Sequence, residues 1–242
     1  MEKMTKRERK EQKKAEYQEV LKKQKMNDML KKFGIWGGAA AILIASVWGL
    51  FVLSTTTPSA TTGVEAPAIS NNDITIGSSS AQVSLVEYSD FQCPACAAYH
   101  PIVNQLLAEF EGKLKLAYRF FPLSQTHKNA MISAQAGYAA FKQNKFEDMY
   151  NMLFDTQNDW ANENNAKDKF IEYATQIELD IEKFKADMES DEAKKAIQDD
   201  LSEGTKAGVN STPTFFLNNK KIVTPRTYED FKKLIQDEID KK

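Results

Sequence analysis

The chain has 242 residues, 42% of them hydrophobic, and a net charge of −2. That is enough for one sizeable core with appendages and too little for two large domains. Residues 1–32 carry 12 Lys and Arg against 6 Asp and Glu, a surplus of +6, so the other 210 residues carry −8 and the basic charge is a tail, not a face. No nucleic-acid partner is expected.

The tail, 1–32, is helical by propensity. Its apolar residues Val20, Leu21, Met26, Met29 and Leu30 form only a short stripe, so it reads as a solvated topology signal more than as a coiled-coil or anionic-lipid contact. Residues 33–53, FGIWGGAAAILIASVWGLFVL, hold no charge. At ~1.5 Å per residue they make a helix about 30 Å long, the thickness of a bilayer core. Trp36 and Trp48 sit towards its ends, where indoles favour the interface, and Gly37, Gly38, Ala39 and Ala40 suit helix packing. One transmembrane helix is predicted, with the N-terminus cytoplasmic by the Lys/Arg bias and residues from 54 onward extracytoplasmic. A cleaved signal peptide fits less well: the apolar run is too long, the leader is long and charged, and no A-x-A pattern follows. Residues 54–71, rich in Thr, Ser, Pro and Ala, read as a tether.

In the exported part, 72–242, a strand is predicted over 82–89, closed by Ser89 and Asp90. Helical spacing follows through Ile102, Leu106, Leu107 and Phe110, with Gly112 as a stop, and LKLAYRFFPL is a second strand ended by Pro122. This is a βαβ unit. From about 124 to 206 every segment has helical character, interrupted by the Asn- and Asp-rich DTQNDWANENNAKD. The sheet resumes with TPTFFLNNKKIV, where Asn218 and Asn219 suit a tight hairpin. A last amphipathic helix carries Tyr228, Phe231, Leu234, Ile235 and Ile239 on one side.

The only two cysteines, Cys93 and Cys96, lie at the first turn of the βαβ unit in CPAC, facing an oxidising compartment if the topology holds. Haem attachment requires His after the second cysteine, where Ala97 stands. A structural zinc site wants four ligands, and the two histidines, His100 and His127, have no ligand spacing, so no metal is expected. A purely structural disulfide would close too small a loop to stabilise much. Reversible redox chemistry has a positive argument. Pro94 suits the first helical position, which makes Cys93 the N-cap, where the free N–H groups of Ala95 and Cys96 and the helix dipole favour an anion. Cys93 is then the exchanging sulfur and Cys96, one turn in, the resolving one.

Strand-then-CPAC, a long helical insert, and GVNSTPTFFLNNK about 120 residues later resemble the DsbA-like thiol:disulfide oxidoreductases of the thioredoxin superfamily, in their membrane-anchored bacterial form. The resemblance covers about 71–242. It implies an α/β thioredoxin fold with a helical insertion behind the transmembrane helix, a redox-active Cys93–Cys96 disulfide around the Pro94-Ala95 dipeptide, and a cis Pro213 lying against it. With a cis bond, the Thr212 backbone is free to pair with an extended substrate segment. Glu87 shares a strand face with Val83 and Leu85, where burial would raise its pKa and let it move protons. It also matches the acidic residue that the family uses near its buried cysteine; an exposed strand Glu is the plainer reading. His100 and His127 read as packed or surface helix residues, and Phe91, Tyr99 and Phe121 as core or as the rim of a substrate groove.

The expected activity is the introduction of disulfides into exported cysteine-containing proteins by a monomer that has no cofactor motif. Re-oxidation then falls to a quinone-linked membrane oxidase of the DsbB or VKOR type, as the family implies. A reductase or isomerase on the same fold is the nearest alternative, and a copper-handling chaperone is one from another class.

Overall fold

The computed structural model describes residues 61–70 and 73–241, together with Lys22, Lys23, Met26 and Met29; the expected span at 33–53 lies outside the described residues. Among the described residues no helix is long and apolar enough to cross a membrane. The chain divides into Met1–Pro58 and Ser59–Lys242, and everything below concerns the second unit.

In chain order its elements are β1 (Thr61–Glu65), β2 (Ile74–Gly77), β3 (Val83–Ser89), α1 (Pro94–Glu109) and β4 (Leu114–Phe120). Six helices follow: α2 (Ala130–Phe141), α3 (Phe146–Asp155), α4 (Gln157–Trp160), α5 (Ala166–Gln176), α6 (Ile181–Glu189) and α7 (Asp191–Lys206). β5 (Thr214–Leu217), β6 (Lys220–Ile222) and α8 (Tyr228–Ile239) complete the unit. The sheet runs β1-β6-β5-β3-β4-β2. β3 is central, parallel to β4 from Val83↔Leu114 to Ser89↔Phe120 and antiparallel to β5 from Leu85↔Leu217 to Tyr88↔Thr214.

β3 is buried on both faces, so its sequence alternates between two cores rather than between core and water. Val83 and Leu85 join the larger core with Val103 and Leu106 of α1, Tyr118 and Phe120 of β4 and much of the helical insert. Val86 and Tyr88 join the smaller one with Ala117, Phe121, Val209 and Phe216. α7 closes that second face. An added Cβ at Gly204 would stand 2.7 Å from the Tyr88 ring and 3.0 Å from Phe121, so only glycine lets the helix come so near. The hairpin between β5 and β6 turns on Asn218 and Asn219, both left-handed at φ 48° and 65°.

Two strands depart from the sequence reading. Part of the predicted tether is strand: β1 pairs antiparallel with β6, and the Ala66 N–H bonds to the Asn219 carbonyl at 2.7 Å. The open edge of β6 offers unpaired backbone groups, and a Thr- and Val-containing segment satisfies them. β2 was not foreseen either. Its four residues are too few for alternation to register, although Ile74 and Ile76 are buried where β2 pairs with β4.

Candidate active site

β3 ends at Ser89, and the next four residues turn the chain into α1. Cys93 is the N-cap, at φ −72° and ψ 122°, with Pro94 at the start of the helix, where a missing N–H costs nothing. The neutral thiol makes no cap hydrogen bond, because its sulfur is a weak acceptor; in that form Cys93 Sγ donates to the Thr212 carbonyl oxygen at 3.5 Å. The Thr212–Pro213 bond is cis. Pro94 and Ala95 are exposed, and Pro213 is half-buried.

Both cysteines are free thiols, but their surroundings differ. Cys93 is 7% exposed and Cys96 fully enclosed. The Cys93 pKa falls from 9.0 to about 5. Donation from the Cys96 thiol contributes most; burial opposes it; the Thr212 side chain and the backbone N–H groups of Cys96 and Ala95 add to the lowering. Cys96 moves upward, through burial first, then its bond to Cys93 and the charges of Glu87 and Cys93. One sulfur is thus a ready thiolate at neutral pH while its neighbour holds its proton.

Glu87 lies on the larger core's face of β3, 1% exposed, directly across from Tyr118 on β4 and Phe215 on β5. Burial raises its pKa from 4.5 to about 7, Ser89 opposing and the Cys93 charge adding. Its Oε2 has no hydrogen-bond partner in the protein, nor have the hydroxyls of Tyr118 and Tyr150, both buried close by. A carboxyl in this state can give or take a proton near neutral pH.

The rest of the turn is held by polar groups that the sequence did not announce. Gln157, buried at the start of α4, donates to the carbonyls of Phe91 at 2.6 Å and Cys93 at 3.1 Å. Gln92 donates to the Ala161 carbonyl and accepts from the Asn129 N–H, both at 2.6 Å. Asn129 in turn donates to the carbonyls of Trp160, Ala161 and Glu163. These bonds tie the CPAC turn to the helical insert over sequence separations of 37 to 69 residues. No local pattern could have pointed to them; the one cue was an uncharged Gln beside a cysteine.

Phe91 stacks on Tyr118 at a centroid distance of 5.0 Å in the larger core, and Phe121 lies in the smaller one. Tyr99 is partly buried, its hydroxyl donating to the Pro225 carbonyl at 2.8 Å. His100 is buried on α1 beside Asn104 and Asn151. His127 departs from the helical reading: it sits in the turn ahead of α2, 2.7 Å from Asp90. Among the described residues no three His, Cys, Asp or Glu side chains are grouped to hold a metal ion.

Comparison with known proteins agrees with this architecture. The chain's fold matches that of BdbD from Bacillus subtilis, with a TM-score of 0.66, 22% identity, and coverage of 76% of this chain and 100% of that one. It also matches the thiol-disulfide exchange protein alpha-DsbA2 from Wolbachia pipientis, with a TM-score of 0.61, 17% identity, and coverage of 69% and 87%. Among curated relatives, the Na(+)/H(+) antiporter NhaA 3 of Salinispora tropica is 29% identical over 163 residues, 67% of this chain and 24% of that protein. The chain spans about a quarter to a third of the length of the curated relatives it matches. The family model described as Thioredoxin (Thioredoxin_4) matches residues 70–237. That match takes in every strand from β2 to β6, both cysteines and the cis-proline loop, and the chain accordingly belongs to the thioredoxin family, with the fold of its DsbA-like members.

Proposed function

We propose that this protein is a membrane-anchored thiol:disulfide oxidoreductase that introduces disulfides into exported cysteine-containing proteins. The observation that carries the reading is the placement of two free thiols in CPAC: Cys93 at the N-cap of α1, against the Thr212 carbonyl of the cis Thr212–Pro213 bond, with Cys96 fully enclosed three residues on. The kinship with a thiol-disulfide exchange protein supports it.

In the oxidised chain a substrate thiolate attacks Cys93 Sγ. The Cys93–Cys96 bond breaks, a substrate–Cys93 disulfide forms, and Cys96 leaves as a thiolate that takes a proton from Glu87. The second substrate thiolate then attacks the substrate sulfur of the mixed disulfide, closing the substrate's own disulfide and releasing Cys93 as its stable thiolate. Two electrons pass from substrate to the cysteine pair. The leaving sulfur in the last step has the lower pKa, which favours release. The Thr212 backbone, next to Cys93, would pair with an extended substrate segment. A quinone-linked membrane partner of the DsbB or VKOR type would restore the disulfide. Export rests on the uncharged stretch 33–53 behind a +6 tail.

Cys96→Ala tests this reading. Without the resolving thiol, Cys93 should accumulate mixed disulfides with exported proteins, seen as reducible adducts on non-reducing gels and absent in Cys93→Ser. A Cys96→Ala chain that forms no adducts would contradict it.

A further inference from the structure

We propose that His127 is a positioning residue for disulfide exchange, acting through Asp90 on the backbone that carries both cysteines. The inference rests on the exchange reading above. Asp90 stands three residues before Cys93, with its carboxylate fully enclosed. That carboxylate gathers three donors: the Gln92 N–H at 2.8 Å on Oδ1, and on Oδ2 the Leu123 N–H at 2.9 Å and His127 Nδ1 at 2.7 Å. An ionised carboxylate only accepts, so Nδ1 is assigned as the protonated nitrogen.

The main chain of Asp90 meets both sulfurs' environments. Its carbonyl accepts the Cys93 N–H at 3.0 Å, which fixes the N-cap, and its backbone is a group that favours the Cys96 anion. His127 is presented by a tight turn: the N–H groups of Thr126 and His127 both bond to the Leu123 carbonyl at 2.9 Å, while the Leu123 N–H goes to Asp90. The turn that opens the helical insert is therefore folded around one carboxylate of the active-site loop. Besides His127, Asp90 acts on two titratable groups, Cys96 through its backbone and Tyr118 through its charge, while its tie to Cys93 is the backbone bond alone.

Removing the imidazole leaves a buried carboxylate with one donor fewer. Its charge is then less compensated close to Cys93, and the N-cap that presents Cys93 to the helix terminus loses a support. Both effects work against the Cys93 thiolate, and a less stable thiolate makes the disulfide a weaker oxidant.

The test uses the purified full chain in detergent as wild type, His127→Phe, His127→Ala and His127→Asn. The pH midpoint of Cys93 alkylation and the equilibrium with glutathione are measured for each. In the Phe and Ala variants the midpoint should rise by about one pH unit, and the equilibrium constant should shift about tenfold, or about 30 mV, towards the more reducing side. Asn can place an N–H where Nδ1 lies and should restore both to within about threefold. Either of the Phe and Ala variants suffices should the other not fold. Wild-type exchange with an unchanged midpoint in the variants would overturn the inference; a wild type that exchanges no disulfides would overturn the exchange reading instead. A loss in Asn as large as in Phe would also count against it, since the donor would then not be what matters.

Discussion

Replacing Glu87 by Gln separates the charge of the buried carboxyl from its shape. Burial lifts its pKa from 4.5 to about 7, so above its unfolded pKa the unfolded chain releases a proton that the folded chain retains. Stability from this site is full below about pH 4.5 and falls as pH rises through about 7. At 1.36 kcal/mol per pKa unit, the carboxyl costs the folded state about 3 kcal/mol between pH 4 and pH 8. Gln does not titrate. Its amide carries a constant penalty, because Glu87 Oε2 already has no partner in the protein, so the quantity to read is the change in ΔΔG with pH. Urea unfolding of the reduced full chain in detergent, followed by circular dichroism, supplies it. Asp200, raised from 3.8 to about 7 by burial, titrates in both proteins and cancels in the difference. Relative to wild type, Glu87→Gln should gain about 3 kcal/mol on going from pH 4 to pH 8, and less in the oxidised chain, where the Cys93 charge is gone. A ΔΔG that is the same at both pH values would refute the burial argument and with it Glu87 as a proton carrier.

Two further outcomes follow from packing. Gly204→Ala should destabilise the unit by about 1–2 kcal/mol in the same unfolding assay, since a Cβ 2.7 Å from the Tyr88 ring outweighs the helix propensity gained. A stabilised variant would mean that α7 stands farther from the sheet than described. Tyr150→Phe removes a buried hydroxyl that has no protein partner and should leave stability unchanged or raise it by up to about 1 kcal/mol. A loss above about 1 kcal/mol would show that the hydroxyl is satisfied.

The parts of the fold that the sequence made legible are those where local pattern and tertiary role coincide. Val83, Leu85 and Glu87 alternate because β3 is a central strand, and Pro94 marks the first turn of α1 because proline fits there. Asn218 and Asn219 announced the hairpin because a left-handed turn needs such residues. β1 escaped notice because its TTGVE sits within a Thr- and Ser-rich stretch, and only the edge of β6, more than 150 residues away, makes it a strand. The site divided in the same way. Cys93, Cys96 and Glu87 could be found from spacing and strand face, and Thr212 and Pro213 from the family resemblance. Asp90, Gln92, Asn129 and Gln157 could not, because their meaning lies in partners brought together from the insert. His127, read as an ordinary helix residue, is in a turn because the chain there wraps a carboxylate.

The most direct test of the account is the reduction potential of the Cys93–Cys96 pair, obtained by equilibrating the full chain with glutathione and reading the oxidised fraction by alkylation shift. A Cys93 thiolate held at the helix terminus, without a histidine in the Pro94-Ala95 dipeptide to add to it, places the potential between about −120 and −270 mV and nearer the former. A value between about −120 and −250 mV would fit a protein that donates disulfides. A value below about −250 mV would contradict the oxidase and favour a reductase on the same fold.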